Sequence, residues 1–384
     1  MRYTSQDIDS VGFNVSYQFF EEKLPSLGFS IRQPQIEYTN DILQMLRNRS
    51  KCLIIEAEVG TGKSFGYLAP LLYLQKVNRG RFSIVVSTGT IALQEQLLSD
   101  IELIKEYMGL SINVVLAKGG SHFLCKSRMD QTYKKQKNKP HWINNWPVES
   151  EYGDRAELEK LIPDINQVWG KVNVQKCTFR KCAFYYECKY MELREKMKKN
   201  ESIIVTNHDQ LIANAKLLKA RRPPLFPVDT GIIIIDEVHN LEEKARNSLT
   251  ENWRKGGIVR LLNTIEGFLS GSDNYKENKE TKDILISTID KIFDGFYLHC
   301  KKEREIGIKK GYDTQRFKID LTQENAIKIH IESLKDFYVS AQMIDTNNEE
   351  LEDAIYETEK LIKLLEDIIE QHDCVYWLEM RNEK

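Results

Sequence analysis

The chain has 384 residues, 41% of them hydrophobic and 29% charged, and its 55 lysines and arginines nearly balance 57 aspartates and glutamates. This length suggests about two to three domains, and the net charge of −2 excludes a uniformly basic nucleic-acid binder. The longest aliphatic run, residues 232–235, is far shorter than the ~20 residues of a membrane span. Because the seven cysteines are odd in number and no signal segment is visible, we expect a soluble cytoplasmic protein.

The first third of the chain alternates short apolar runs with helical patterns. The apolar runs are continuous rather than alternating, which is typical of parallel strands covered on both faces. We therefore expect an α/β fold with a parallel sheet, whose first part is residues 1–118. The predicted strands are 52–57, 82–88 and 112–118, and the predicted helices between them are 64–75 and 90–107.

This alternation is interrupted between residues 119 and 200. That segment is polar, rich in lysine and aromatic residues, and contains four of the seven cysteines. It is therefore predicted to be an insertion carried by the sheet domain. Strands are predicted again over 202–207 and 231–237, so residues 201–244 form the second part of the sheet domain.

The last third of the chain has a different pattern. Apolar residues recur with spacings of three and four, which predicts a mainly helical domain over residues 245–372. Residues 373–384 contain a short apolar run, which would add one strand that returns to the sheet.

A glycine-rich segment, AEVGTGKS, lies between the predicted strand 52–57 and the helix that follows it. Glycines let backbone N–H groups approach phosphate oxygens, a lysine reaches the β- and γ-phosphates, and the next hydroxyl binds Mg²⁺. The segment therefore predicts a site for ATP and Mg²⁺, and an ordinary glycine turn is the alternative. The residues assigned to this site are Gly60, Thr61, Gly62, Lys63 and Ser64.

Two carboxylates, Asp236 and Glu237, directly follow a strand of four isoleucines. In nucleoside triphosphatases such a strand places one acid on Mg²⁺ and the next beside the attacking water. We expect Asp236 and Ser64 to hold Mg²⁺, and Lys63, Asp236 and Glu237 to be the catalytic residues. A buried strand with a capped exit is the alternative interpretation.

Together the two segments resemble a superfamily 2 helicase, in which A-x-x-G-x-G-K-[S/T] and D-E-x-H motifs lie on a RecA-like domain. The second motif reads DEVH here and ends at His239, which the resemblance places at the nucleotide. The sequence RQPQ resembles the R-x-x-Q motif, so Arg32 and Gln35 would contact adenine.

Two further segments are predicted to bind nucleic acid. Residues 87–97 resemble motif Ia, whose hydroxyl groups and helix start touch the nucleic-acid backbone; simple capping of the helix is the alternative. Lysines, arginines and aromatic residues are interleaved over 118–146 and 176–190, which favours a single-strand site over a solvated loop. The contacts assigned are Thr88, Thr90, Gln94, Lys126 and Arg128.

Four cysteines in the insertion are separated by 51, 4 and 5 residues. Four cysteines within one segment of an intracellular protein indicate a metal site. Zinc sites usually have two C-x₂₋₄-C pairs, and this spacing does not show them. Iron–sulfur sites tolerate irregular spacing, whereas zinc or no metal are the alternatives. The arrangement resembles the XPD/DinG branch of helicases, which implies a [4Fe–4S] cluster on Cys125, Cys177, Cys182 and Cys188.

The resemblance extends over nearly the whole chain but covers only the first half of a family member. It implies a RecA-like domain with an iron–sulfur insertion and a helical arch, whereas no S-A-T or arginine-finger motif follows Trp377. We expect a 5′–3′ helicase on single-stranded or forked DNA that acts only when a second RecA-like domain is supplied, for example by a partner chain. The alternatives are a nucleotide- and DNA-binding module without motor activity and a zinc-bearing P-loop ATPase.

Overall fold

The structure is a computed structural model, and its contacts divide the chain into two compact units, Met1–Thr250 and Glu251–Lys384. It describes residues 3–380 except 59, 135–152, 163, 176, 178, 200–201, 229, 272–274, 320, 345–348 and 371–373. Part of the predicted basic and aromatic segment, residues 135–146, therefore lies outside the described residues. Within the described ranges, no helix is both long enough and apolar enough to cross a membrane.

A four-stranded sheet organises the first unit. All its strands are parallel and lie in the order β2-β3-β1-β4. In this register Ile84 pairs with Ile203 on one side and Ile232 on the other. These strands confirm the predicted α/β class and the predictions at 82–88, 112–118, 202–207 and 231–237. Their bounds are β1 Ser83–Thr88, β2 Asn113–Leu116, β3 Ser202–Asn207 and β4 Thr230–Ile235.

Helices surround this sheet, and two of them match the predictions at 64–75 and 90–107. A π-helix, Gly12–Lys23, lies between the first two α-helices. The α-helices of this unit are α1 Ser5–Val11, α2 Leu24–Ser26, α3 Gln33–Asn48, α4 Lys63–Val77, α5 Ile91–Met108, α6 Lys126–Tyr133, α7 Arg155–Leu161, α8 Ile165–Val172, α9 Lys189–Lys198, α10 His208–Lys219 and α11 Leu241–Leu249. Short 3₁₀ turns occur at Gly120–His122, Phe179–Lys181, Tyr185–Glu187 and Val238–Asn240.

The core of the first unit lies on both faces of the sheet. Successive strand residues point to opposite faces, so Ile84 and Val86 pack against α1, α3, α4 and α5. Val85 and Ile204 pack on the other face, against Phe226. β1 and β3 are consequently buried along their whole length, as their continuous apolar sequences require.

The predicted strand at 52–57 does not form. These residues have no strand assignment, and Ile54 is 85% exposed. A strand requires a hydrogen-bonded neighbour, and residues 52–57 pair with none of the strands of the described sheet. The prediction was wrong because apolar composition identifies a buried strand only when a pairing partner exists.

The insertion has a small core of its own. Its helices α6, α7 and α8 surround Leu124, Leu158 and Trp169, and isolated bridges join Phe123 to Asp154 and Leu124 to Asn173. A buried ion pair connects this core to the sheet, since Lys118, just after β2, donates to Asp154 at 2.7 Å.

The second unit is mainly helical, as predicted. A 3₁₀ turn, Leu321–Gln323, precedes the third of its α-helices, which are α12 Lys255–Leu269, α13 Tyr275–Lys309, α14 Glu324–Gln342 and α15 Glu349–Glu370. A strand does form within residues 373–384, but it does not return to the parallel sheet. Instead β6, Trp377–Glu379, pairs antiparallel with β5, Arg316–Lys318, where Phe317 is buried and the Arg316 guanidinium lies 5.3 Å from the centre of the Trp377 ring.

Candidate nucleotide and metal sites

The glycine-rich loop precedes α4 and bends sharply at two glycines. Gly60 and Gly62 have φ of +85° and +77°, in the left-handed region that side chains with a Cβ disfavour. A Cβ on Gly62 would lie 1.9 Å from the Nε2 of Gln35, so glycine is required there for two reasons. Thr61 closes the loop by donating its hydroxyl hydrogen bond to the Glu58 carbonyl at 2.8 Å.

Arg32 and Gln35 support this loop from the start of α3. The Arg32 guanidinium donates to the Gly60 carbonyl at 2.9 Å, and the Gln35 amide donates to the Gly62 carbonyl at 3.0 Å. Both side chains were predicted to contact adenine. In the structure they hold the backbone of the phosphate loop, and their contact with adenine stays a prediction.

Lys63 and Glu237 meet at the tips of the loop and of β4. The Lys63 ammonium lies 2.9 Å from Glu237 Oε1, and both side chains are 30% exposed. This hydrogen bond raises the pKa of Lys63 and lowers the pKa of Glu237. Glu237 itself adopts a left-handed backbone with φ of +55°, and His239 Nδ1 lies 3.4 Å from its second oxygen. Positive φ in a bulky residue is typical of functional sites.

Asp236 is more buried than its neighbour. Burial first, and then the charge of Glu237, raises the pKa of Asp236, while the charge of Lys63 opposes this rise. Two adjacent carboxylates balanced by one lysine favour a second cation, and Mg²⁺ is bound by one or two carboxylates together with substrate phosphates. Asp236 and the Ser64 hydroxyl therefore fit a magnesium ion held beside a triphosphate.

Two tyrosines lie behind Asp236. Burial and the Asp236 charge raise the pKa of Tyr38 to about 12 and the pKa of Tyr67 well above its ordinary value. The Tyr67 hydroxyl oxygen is buried. Sequence reasoning missed both tyrosines, because each lies in an apolar helical pattern that reads as core.

The carboxyl ends of β1 and β3 meet through a buried hydrogen bond. Ser87 Oγ lies 2.8 Å from Nδ1 of His208, and the Asp236 amide donates to the Ser87 carbonyl at 2.8 Å. Sequence reasoning assigned no role to His208, although it follows the end of a predicted strand. Such positions in parallel sheets regularly carry functional side chains.

The predicted nucleic-acid contacts of motif Ia need correction. Thr88 and Gln94 are fully buried because the neighbouring strands and α5 cover them, and the Gln94 amide donates to the Ala117 carbonyl. Neither side chain faces solvent. Thr90 is exposed, and its hydroxyl accepts from the Leu93 amide as the cap of α5, which was the alternative interpretation.

Lys126 and Arg128 also make contacts within the protein. Lys126 forms an ion pair with Glu187 and lies 5.8 Å from the centre of the Phe184 ring. Arg128 donates to the carbonyls of Asn173, at 2.7 Å, and Gly170. In the structure, both side chains connect α6 to neighbouring parts of the insertion.

The four cysteines of the insertion line a single pocket. All are free thiols, and burial raises the pKa of Cys177 and Cys188, with a further rise from the neighbouring cysteines. Over the described ranges, no three cysteine, histidine or acidic side chains are arranged to hold a single metal ion. An iron–sulfur cluster spreads its ligands around several irons, so four thiols around one pocket fit a cluster in their chemistry.

The parallel sheet, glycine loop and strand-end carboxylates are typical of P-loop nucleoside triphosphatases. Comparison with known families agrees, because residues 32–147 match the DEAD/DEAH box helicase family. Residues 32–147 are therefore similar to this helicase family.

The chain is also similar to individual proteins of known name. The chain is 29% identical over 248 residues to the ATP-dependent DNA helicase YoaA of Escherichia coli, covering 62% of this chain and 37% of YoaA. It is 24% identical over 257 residues to the ATP-dependent DNA helicase DinG of E. coli, covering 61% and 34%. The 3'-5' exonuclease DinG of Bacillus subtilis is 25% identical over 229 residues, covering 58% and 24%. The chain is thus similar to YoaA and DinG proteins, and the match covers between 24% and 37% of their length.

Proposed function

We propose that this chain is the ATP-binding half of a DinG-like 5′–3′ DNA helicase. It couples ATP hydrolysis to movement along single-stranded or forked DNA when a second RecA-like domain is supplied. The observation that carries the proposal is the approach of Lys63 to Glu237. It occurs beside a loop whose bends are formed by two glycines with left-handed backbone angles. The polarity follows from the resemblance.

The ion pair suggests how the site changes when it takes up a triphosphate. The γ-phosphate carries more negative charge than one carboxylate, so it competes with Glu237 for the Lys63 ammonium. Glu237 is then free to accept a proton from water, and loss of the Lys63 hydrogen bond that lowers its pKa makes it a stronger base for this role. Mg²⁺ held by Asp236 and Ser64 would neutralise phosphate charge.

The edge of the sheet supports the proposal that further polypeptide completes the motor. β1 and β3 are buried throughout, whereas Ile233 in the middle of β4 is 53% exposed. An exposed apolar edge strand is a liability that proteins usually cover. An arginine finger from a second domain is worth ~10³–10⁵ in rate, so we expect the chain alone to hydrolyse ATP poorly.

We further propose that Cys125, Cys177, Cys182 and Cys188 bind a [4Fe–4S] cluster. The support is that all four thiols line one pocket in an insertion whose own core is small. A cluster would stabilise this segment, because the free energy of metal binding becomes free energy of folding. Iron and sulfide analysis after anaerobic purification tests this assignment, and zinc in their place would contradict it.

Nucleotide binding and turnover test the main proposal. A fluorescent ATP analogue should bind in Mg²⁺, and ATP turnover with single-stranded DNA should stay low until the carboxyl-terminal part of a relative such as YoaA is added. Lys63→Ala should weaken binding roughly 10- to 100-fold, because a charge-assisted hydrogen bond is lost. Lys76→Ala, at the other end of α4, serves as the matched control.

The possible results separate the alternatives. Strong DNA-stimulated turnover by the chain alone would show that no second domain is needed. Binding of ATP and DNA with no turnover, even after the second domain is added, would favour the binding module. No binding of Mg²⁺ and nucleotide at all would remove the proposal.

A further inference from the structure

Two helices on opposite faces of the parallel sheet, α4 and α10, end with an arginine in the left-handed backbone conformation. Arg79 follows α4 with φ of +52°, and Arg221 follows α10 with φ of +54°. Helices usually place glycine at this position, because a Cβ makes the left-handed conformation costly. The neighbouring helix α5 does so with Gly109. The two arginines are therefore kept at a cost in stability, which suggests that their side chains have a use.

Both arginines lie at the end of the sheet where its strands begin. Arg79 and Arg81 lead from α4 into β1, Lys199 precedes β3, and Arg221 and Arg222 begin the loop from α10 to β4. Because β1 pairs in parallel with both β3 and β4, the segments before these three strands lie side by side. The nucleotide loop and Asp236 are at the opposite end of the sheet. We call these five residues, Arg79, Arg81, Lys199, Arg221 and Arg222, the amino-end cations.

The amino-end cations are exposed and carry positive charge without a local counter-charge. All of them face solvent, and none forms an ion pair with another described residue, whereas the nearby Lys198 pairs with Glu195 at 2.9 Å. Unbalanced charge of one sign on a surface attracts a partner of the opposite sign. Four of the five are arginines, whose planar guanidinium groups match the geometry of phosphate. The surface therefore fits a partner with many phosphates.

The shape of that partner follows from the side chains between the cations. Over residues 76–82 and 216–228, both described in full, the two aromatic side chains, Phe82 and Phe226, are buried. Sites for single-stranded nucleic acid combine cations with exposed rings that stack on bases, whereas a duplex offers a protein surface mainly its phosphates. The insertion does expose such rings, since Phe179 and Tyr186 are 48% and 97% exposed. The amino-end cations thus fit a duplex better than a single strand.

We propose that the amino-end cations bind the phosphate backbone of the duplex arm of a forked DNA. The proposal rests on the proposed function, which makes DNA the substrate. Contacts of this kind position a duplex without reading its sequence. A duplex carries one negative charge per ~1.7 Å, so several cations at one end of the sheet can be engaged together.

The test is the double variant Arg79→Gly with Arg221→Gly, measured by fluorescence anisotropy with a labelled duplex and with a single strand of the same length. Duplex affinity at about 0.1 M salt should fall roughly 10- to 100-fold, and the slope of log affinity against log salt should become shallower by about 1.8, because two phosphate contacts are lost. Affinity for the single strand should change little. The thermal midpoint should stay equal or rise, since glycine adopts the left-handed conformation freely.

Two further double variants separate charge from backbone. Arg79→Lys with Arg221→Lys keeps the charge and the strained conformation, and it should keep most of the salt dependence. Lys301→Gln with Lys302→Gln removes the same charge from exposed lysines of the second unit, and it should bind duplex like the parent.

The remaining outcomes contradict the proposal in distinguishable ways. Parental duplex affinity of the glycine variant, together with a lower thermal midpoint, would show that the arginines only stabilise the helix ends. An equal loss in the Lys301 and Lys302 variant would show a general effect of net charge, and equal losses for duplex and single strand would remove the preference for a duplex. A parent that binds single strand but not duplex would overturn this inference alone. A parent that binds no DNA at all would remove the proposed function as well.

Discussion

The nucleotide loop and the cysteine pocket are both assembled from residues far apart in the sequence, but different structures hold them. The loop lies between α3 and α4, beside a parallel sheet whose strands β1 and β3 are fully buried. Direct hydrogen bonds from Arg32 and Gln35 fix its backbone. The cysteines lie on short helices and turns around a pocket, with a core of only a few side chains nearby.

This difference concerns what each site needs in order to form. The bends of the loop are supported by hydrogen bonds from Arg32 and Gln35 at the start of α3, and the helix α4 begins directly after them. In the cysteine pocket, neighbouring cysteines raise the pKa of Cys177 and Cys188, and the proposed cluster would supply the charge that makes four thiolates compatible. We therefore expect the sheet to maintain the first site and the metal to maintain the second.

The largest effect should follow from breaking the cysteine pocket. Cys182→Ser should lose iron and raise amide exchange in residues 119–200 by roughly tenfold or more, since metal binding there is folding free energy. Exchange in β1 and β3 should not change. Cys52→Ser, at an exposed cysteine outside the insertion, is the control. Equal loss of protection in both regions would contradict the comparison.

The next largest effect concerns the Lys118–Asp154 ion pair, which connects the sheet to the core of the insertion. Lys118→Met should destabilise the first unit by roughly 3 kcal/mol in urea unfolding, because Asp154 would be left buried without its partner. The double variant with Asp154→Asn should recover much of this loss, since asparagine keeps the cap of α7 and carries no charge. A double variant no more stable than Lys118→Met would show that the pair is not the cause.

The sequence predicted what depends on neighbouring residues better than what depends on distant partners. β1, β3 and β4 form where continuous apolar runs occur, but residues 52–57 form no strand, because pairing with a neighbouring strand cannot be read from their own apolar sequence. Thr88 and Gln94 were predicted to contact nucleic acid, yet packing by neighbouring elements buries them. Tyr67 was not found, because only the folded chain places Asp236 near its hydroxyl.

A smaller effect is expected inside the loop itself. Gly60→Ala should cost ~1 kcal/mol from its left-handed backbone alone, since a Cβ there meets nothing within 4 Å. Gly62→Ala should cost about 1 kcal/mol more, because its Cβ would displace the Gln35 amide. In a Gln35→Ala background the two variants should become equal in urea unfolding. If Gly62→Ala remained less stable than Gly60→Ala in the Gln35→Ala background, the extra cost would not come from the Gln35 amide.

The smallest effect at neutral pH lies in the second unit, which neither site should influence. His330 is fully buried with both ring nitrogens unpartnered, and burial lowers its pKa to about 4 from 6.5. Because the unfolded chain takes up this proton first, stability is complete above pH 6.5 and is lost as the pH falls toward 4.

This titration should appear as a difference between the parent and His330→Leu. Between pH 7 and 5 the parent should lose about 1 to 2 kcal/mol more than the variant, by amide exchange in α14. His299→Leu, at a less buried histidine of the same unit, should follow the parent. If His330→Leu lost stability as steeply as the parent, the acid sensitivity would come from other groups. If iron removal changed the slope in α14, the independence of the helical unit from the cysteine pocket would be refuted.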